Sequence, residues 1–265
     1  MTTVSVDSLL GSDVRSLPNS TMPASIVVVN AIAGCGASVV AAALADMAAT
    51  RCDTTLVDLA PAYLSGLHAT APLATRHESS VDCVHYVSGW REDGAYLLRM
   101  DSDLPAMRDN FWPRQAVPAR SEWLTHCHPV TVVDFSWRVV ETVLAPVQLG
   151  EWLSTASAVV LTMPATSRGV DAAEHVAAAL DSFGSPTPFV VVTRERKAPQ
   201  LVAGGAGAYL SRVIDAHGIL AVPEVPSVRT HGATAPLPAQ LTKPVSNLLL
   251  SALPAVTHQP KGAQR

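Results

Sequence analysis

Residues 25–45 carry no charged side chain, and the stretch is long enough to cross a bilayer. Its two parts differ in kind, however. Ile26-Val27-Val28-Val29 is β-branched, residues 37–49 are rich in alanine, and Asn30, Gly34, Gly36 and Ser38 interrupt the run. β-Branched side chains suit an extended backbone and alanine suits a helix. The pattern therefore predicts a buried strand, a glycine turn and a buried helix, and no transmembrane segment.

The same alternation continues along the chain. Short strands are expected at 54–58, ending in Asp58, and at 130–134, ending in Asp134. Further strands are expected at 158–163, 188–193 and 219–222, with helices at about 168–182 and 206–216 and a closing helix at 237–253 despite Pro244. In the 168–182 helix, Val170, Ala173, Val176, Ala177 and Leu180 recur at helical spacing, while Asp171, Glu174 and Asp181 fall elsewhere. Near-continuous apolar strands between helices are the mark of a sheet buried on both faces. The fold class is thus α/β, a mostly parallel sheet covered by helices on both faces in a Rossmann-like three-layer arrangement. Residues 1–23, polar and carrying Pro18 and Pro23, are expected to be a flexible arm, 24–253 the domain, and 254–265 a disordered tail. Between 68 and 120 the alternation breaks, with strands at 84–87 and 95–98 around Asp93-Gly94, and this stretch reads as an irregular insertion.

Composition narrows the function classes. With 48% hydrophobic and 15% charged residues the chain can bury a large core, which excludes a disordered tail or a coiled coil. A net charge of −4 argues against a nucleic-acid or anionic-lipid footprint over the whole surface. Cys35, Cys52, Cys83 and Cys127 lie far apart without a C-x-x-C pair, and the chain opens with neither the charged start nor the apolar stretch of a signal peptide; a reduced, cytoplasmic setting is expected. His126-Cys127-His128 lacks usual zinc spacing, so zinc is not expected.

The most informative stretch is Val29-Asn30-Ala31-Ile32-Ala33-Gly34-Cys35-Gly36-Ala37-Ser38, between the first strand and the first helix. Glycines let backbone N–H groups converge on an anion, and the helix that follows offers unpaired N–H groups and a favourable dipole. A phosphate loop normally adds a lysine for the terminal phosphates and a hydroxyl for magnesium. Here the hydroxyl is Ser38, and Ala37 stands at the lysine position.

On these residues the chain resembles the ParA/MinD superfamily of deviant Walker A ATPases, a P-loop NTPase-like fold whose loop reads roughly K-G-G-x-G-K-[ST]. Ile32 stands for the signature lysine, Ala33 for the first glycine and Ala37 for the second lysine. Leu56-Val57-Asp58-Leu59-Ala60-Pro61 is similar to the family's LVDxDP strand end, Val132-Val133-Asp134 to its Walker B or switch strand, and Ala221-Val222-Pro223-Glu224-Val225-Pro226 to its PVLGxIP segment. The strand ending in Thr193-Arg194 matches one that usually ends in a base-reading Asn. The Gly34-Cys35-Gly36-Ala37-Ser38 ending is closest to the atypical lysine-lacking members such as TadZ and CpaE, bacterial pilus-localisation proteins. The resemblance implies ATP with magnesium as cofactors. Nucleotide would lie on Gly34, Cys35, Gly36, Ala37, Ser38, Val39, Thr193 and Arg194, with magnesium near Ser38, Asp58 and Asp134. Asp58 and Asp134 are also the candidate catalytic acids, and Trp137 would bring bulk to the switch.

No lysine or arginine occurs between Arg15 and Arg51, so the loop has no cation of its own. Phosphoryl transfer depends chiefly on positive groups that stabilise transition-state charge, and their loss should cost several orders of magnitude in rate. Arg91, Arg99, Arg108, Arg114, Arg120 or a second subunit are the sequence's candidates for a replacement. The expected role is a localisation or assembly factor of a secretion, pilus or conjugation system, binding ATP weakly or not at all with little or no hydrolysis. It would act with protein partners and a second copy of itself, and be recruited to a membrane-associated complex. Two alternatives remain open at this point. One is an active ATPase in partitioning or positioning. The other is an NAD(P)-binding Rossmann enzyme, in which Gly34-x-Gly36 and Asp58 would hold the dinucleotide.

Overall fold

The computed structural model describes residues 23–59, 65–67, 70–72, 75–80, 84–92, 94–102, 120–136, 147–195, 200–234 and 236–253. Strand β1 (Ala24–Asn30) is buried at every position. Ile26 and Val28 enter the core on one face of the sheet, and Val27 and Val29 the core on the other, which is why the run is apolar throughout instead of alternating. The remaining strands are β2 (Thr54–Asp58), β3 (Thr75–Glu78), β4 (Val84–Trp90), β5 (Tyr96–Ser102), β6 (Val130–Ser136), β7 (Ala158–Pro164), β8 (Phe189–Thr193) and β9 (Ile219–Val222). They complete a nine-stranded sheet in the order β3-β4-β5-β2-β6-β1-β7-β8-β9.

From β5 to β9 in that order every neighbour is parallel, whereas β4 is antiparallel to β5 and β3 to β4. The α/β class is therefore as expected, and the strands expected at 84–87 and 95–98 appear as β4 and β5, but the described part of 68–120 belongs to the sheet itself. It supplies β3, β4 and β5, which extend the sheet at one edge. β3, Thr75-Arg76-His77-Glu78, has no apolar face to betray it, and its pairing with β4 supplies the order.

Helix α1 (Ala37–Ala49) and helix α8 (Ala239–Ala252) cover one face. Ala41, Ala42, Ala45 and Ala48 are fully buried because α1 lies between the sheet and α8, so it is apolar nearly all round. The other face is covered by α2 (Arg120–Leu124), α3 (Val147–Ser154), α4 (Ser167–Ser182), α5 (Gln200–Gly205) and α6 (Ala208–His217). α4 begins at Thr166, whose hydroxyl accepts from Gly169 N at 3.0 Å, and it buries the predicted stripe Val170, Ala173, Val176, Ala177 and Leu180. A short α7 (Pro226–His231) precedes α8. α8 accommodates Pro244 in its interior.

One buried polar cluster ties α1 to the extension. Arg91 Nε and Nη2 donate to Asp46 Oδ1 and Oδ2 at 2.9 and 2.8 Å, and Nη2 also donates to Ala233 O at 2.7 Å. Among the described residues no helix is long and apolar enough to cross a membrane. Apart from Pro23, the expected arm and tail lie outside the described residues, as do Arg108, Arg114 and Trp137.

Candidate functional site

The loop after β1 sits at the carboxyl edge of the parallel strands, where open α/β sheets place their ligands. It turns on Gly34 (φ 74°) and Gly36 (φ 94°), both in the left-handed region that side chains disfavour. Gly36 precedes the first residue of α1 and supplies no side-chain cap, so the opening N–H groups of the helix are left to other partners.

The floor beneath the loop is polar, and neighbouring strand ends build it. Cys35 is buried, and its thiol donates to Thr162 O at 3.4 Å and lies 3.2 Å from Thr162 Oγ1. Burial pushes the Cys35 thiol pKa up, which keeps it protonated and inert at neutral pH. Thr193 Oγ1 donates to Cys35 O at 2.5 Å. Carbonyl and N–H point oppositely across a trans peptide, so this bond turns the Gly36 N–H away from β8. Asn30 ends β1, is 6% exposed, and its Oδ1 finds no hydrogen-bond partner among the described residues. Thr162 and Asn30 were absent from the sequence's candidates. Their signal was available: each is a polar residue directly after an apolar run, Asn30 after Ile26-Val27-Val28-Val29 and Thr162 after Val159-Val160-Leu161.

Ala37, at the lysine position, is 5% exposed and packs into the α1 core. Charge reaches the loop from β8 instead. Arg194 Nη2 donates to Gly34 O at 3.0 Å. Arg194 is also the non-glycine residue with positive φ, 66°, among those described. Left-handed backbone at such a residue costs about 1 kcal/mol and often accompanies a functional constraint.

Asp58 and Asp134 are both fully buried and are register partners across β2 and β6. Asp58 Oδ2 accepts a short hydrogen bond from the Ser65 hydroxyl. Gly66 presses on Ser38: a Cβ built there would lie 2.8 Å from Ser38 Cβ and 3.0 Å from its Oγ. Ser38, Asp58 and Asp134 are thereby brought to one edge, and their oxygens are of the kind a hard divalent cation takes together with phosphate and water. Among the described residues no group of three or more His, Cys, Asp or Glu is arranged to hold a metal.

The arginines proposed from the sequence go to different places. Arg91 is held by Asp46, Arg120 lies over the Trp152 ring 4.9 Å from its centroid, and Arg99 is the register partner of Asp58 on β5.

Beside the loop lies a cavity of about 240 Å³. Its apolar wall comes from Val39, Val222, Val225, Val228 and Leu241, with Cys35, Gly36 and Thr193 closing the loop side and Arg194, Glu224 and Arg229 adding charge. Arg229 Nη1 is 3.6 Å from Glu224 Oε1. The size and mixed lining suit a flat heterocycle with a polar rim.

No family model matches the chain, and no curated protein matches it by sequence. Solved structures match it by shape. A ParA family ATPase from Chlorobium tepidum TLS has a TM-score of 0.55 at 13% identity, over 86% of this chain and 98% of that one. The ATP complex of an McdA variant from Cyanothece gives 0.55 at 13% identity, over 88% and 97%. The MinC:MinD cell division complex of Aquifex aeolicus gives 0.51 at 14% identity, over 91% and 99%. The chain therefore has the fold of the ParA and MinD ATPases.

Proposed function

We propose that this protein is a ParA/MinD-like localisation or assembly factor that binds ATP at the loop and its neighbouring cavity and turns it over slowly or not at all. The observation that carries this reading is the combination of a two-glycine loop opening α1 with a cavity beside it, and a buried alanine where the catalytic lysine would stand. The base would lie against Val39, Val222, Val225 and Val228, and the phosphates over the N–H groups of Gly36, Ala37 and Ser38. Magnesium, carried in with the phosphates, would take Ser38 Oγ with Asp58 or Asp134 nearby; it would supply charge neutralisation. Weak hydrolysis follows from what is missing. The loop lacks a lysine, and the Asp58 carboxylate already accepts the Ser65 hydroxyl.

The McdA neighbour holds ATP and the MinD neighbour stands in a complex with another protein, which supports nucleotide and protein partners for this chain. We propose further that a second copy and a bacterial secretion, pilus or conjugation assembly are those partners, with recruitment to a membrane-associated complex through them. The dinucleotide alternative is disfavoured by strand order. In that fold β1 and β2 are neighbours, which lets the acid ending β2 reach the ribose. Here β6 lies between them.

Calorimetric titration with ATP and magnesium tests the reading, with phosphate release followed in the same samples and Gly36→Asp as control. Binding that the variant loses, with negligible release, is expected. Absence of binding, or turnover typical of an active ATPase, would contradict it.

A further inference from the structure

Resting on the nucleotide reading above, we propose that Arg194 is a phosphate-binding cation of this site, entering from the end of β8 on the side where the base joins the phosphates and supplying the positive charge that the loop itself lacks. The need is plain from charge. A polyphosphate brings several negative charges to a segment with no lysine or arginine between Arg15 and Arg51. Backbone N–H groups alone orient such a ligand but carry only partial charge.

Two arginines line the cavity, and they are not equivalent. Arg229 lies 3.6 Å from Glu224 and is partly neutralised by it. Arg194 is in no ion pair among the described residues, and its recorded bond is to a neutral carbonyl, Gly34 O. A guanidinium carries five N–H donors in a planar fork suited to phosphate, so this bond leaves most of its capacity unspent.

Its position is set by consecutive residues. Thr193 fastens to Cys35 O and Arg194 to Gly34 O, so the end of β8 is registered against two consecutive residues of the loop. Glu195 N then donates to Val222 O at 3.2 Å, continuing the approach to β9 beyond Arg194. Between these two fixed points the φ of 66° turns the Arg194 side chain out of the strand's path and onto the loop. It stands where the cavity meets the loop, which is where a base in the first and phosphates on the second would be joined. The residue that replaces a base-reading Asn in the sequence is thereby assigned to the phosphates. The cavity's apolar wall is left to hold the base.

The assignment predicts a contrast between ligands. Affinities of the full-length protein for ATP and for adenosine are measured by calorimetry, in the parent, Arg194→Ala, Arg194→Lys and Arg194→Gly. The glycine variant suits the left-handed backbone and guards against a folding defect. Loss of a charge-assisted hydrogen bond should weaken ATP roughly 10- to 100-fold in the alanine and glycine variants. Adenosine should bind them as it binds the parent, and lysine should restore part of the ATP affinity. Unchanged ATP affinity in Arg194→Ala and Arg194→Gly would overturn the assignment while leaving the cavity reading intact. An equal loss for ATP and adenosine would make Arg194 part of the wall and also overturn it. A parent that binds neither ligand would overturn the nucleotide reading and the assignment together.

Discussion

Replacing Asp46 with alanine should destabilise the protein by about 3–5 kcal/mol, the usual consequence of leaving a buried charge without its partner. The magnitude follows from the geometry around Arg91, which is 2% exposed. Its bidentate pairing with Asp46 at 2.9 and 2.8 Å would be lost, leaving the guanidinium with Ala233 O at 2.7 Å. Ala95 N, which donates to Asp46 Oδ1 at 3.2 Å, would lose its acceptor as well. These contacts join α1, the turn before β5 and the segment before α8, so the cost should appear in global unfolding. For a domain of this size the thermal midpoint should fall by roughly 6–20 °C. The matching test is Asp46→Ala combined with Arg91→Met, followed by calorimetry and urea unfolding. The double variant should recover at least about 1 kcal/mol relative to Asp46→Ala, because an apolar side chain no longer needs a counter-charge. A single variant within about 1 kcal/mol of the parent, or a double variant no better than the single, would refute the reasoning.

Other outcomes follow from the same structure. Gly36→Ala forces a side chain into a φ of 94°, with its Cβ 3.5 Å from Thr193 Cγ2, and should cost about 1–2 kcal/mol along with ATP binding; calorimetry reads both. Thr193→Val removes the hydroxyl that holds Cys35 O and should cost about 1–2 kcal/mol in urea unfolding, with increased amide exchange at residues 34–36. The thiol of Cys35, buried and raised in pKa, should resist alkylation at neutral pH in the native protein and react when the chain is unfolded in denaturant. Acid should destabilise the packing of α2 and the segment leading into β6. Burial opposes charge on Glu122, but hydrogen bonds from Ser80, Ser79 and Tyr86 outweigh it and hold the carboxyl below its ordinary 4.5. That stability is therefore present above about pH 4.5 and lost as pH falls through the lower folded value. Burial likewise lowers His126 and His128 below 6.5, so the unfolded chain takes up protons that the native state refuses, and stability starts to fall below about pH 6.5. Glu122→Gln should flatten the acid limb of a thermal-midpoint profile, and an unchanged limb would contradict the assignment.

What could be read from the chain was what local pattern determines. The continuous apolar runs of β1, β7 and β8, the alanine-rich α1 and the stripe on α4 each carry their structure in residue spacing. β3 does not, because Thr75-Arg76-His77-Glu78 is mostly exposed and owes its order to the backbone of β4. At the site, Gly34, Gly36 and Ser38 were legible because they adjoin one another between a strand and a helix. Beyond Val39, the cavity wall was not, since Val222, Val225, Val228 and Leu241 meet it only once the sheet and α8 are assembled. Arg194 was legible as a residue of the nucleotide site through its place after the β8 strand, but its bond to Gly34 O was not, because the two lie far apart along the chain.

Hydrogen exchange with and without ATP and magnesium tests most directly whether the loop and cavity form the nucleotide site. Protection is expected at residues 31–40, 193–195 and 222–229, with the edge strands β3, β4 and β5 unaffected. Protection elsewhere at saturating ATP, or none at all, would contradict it.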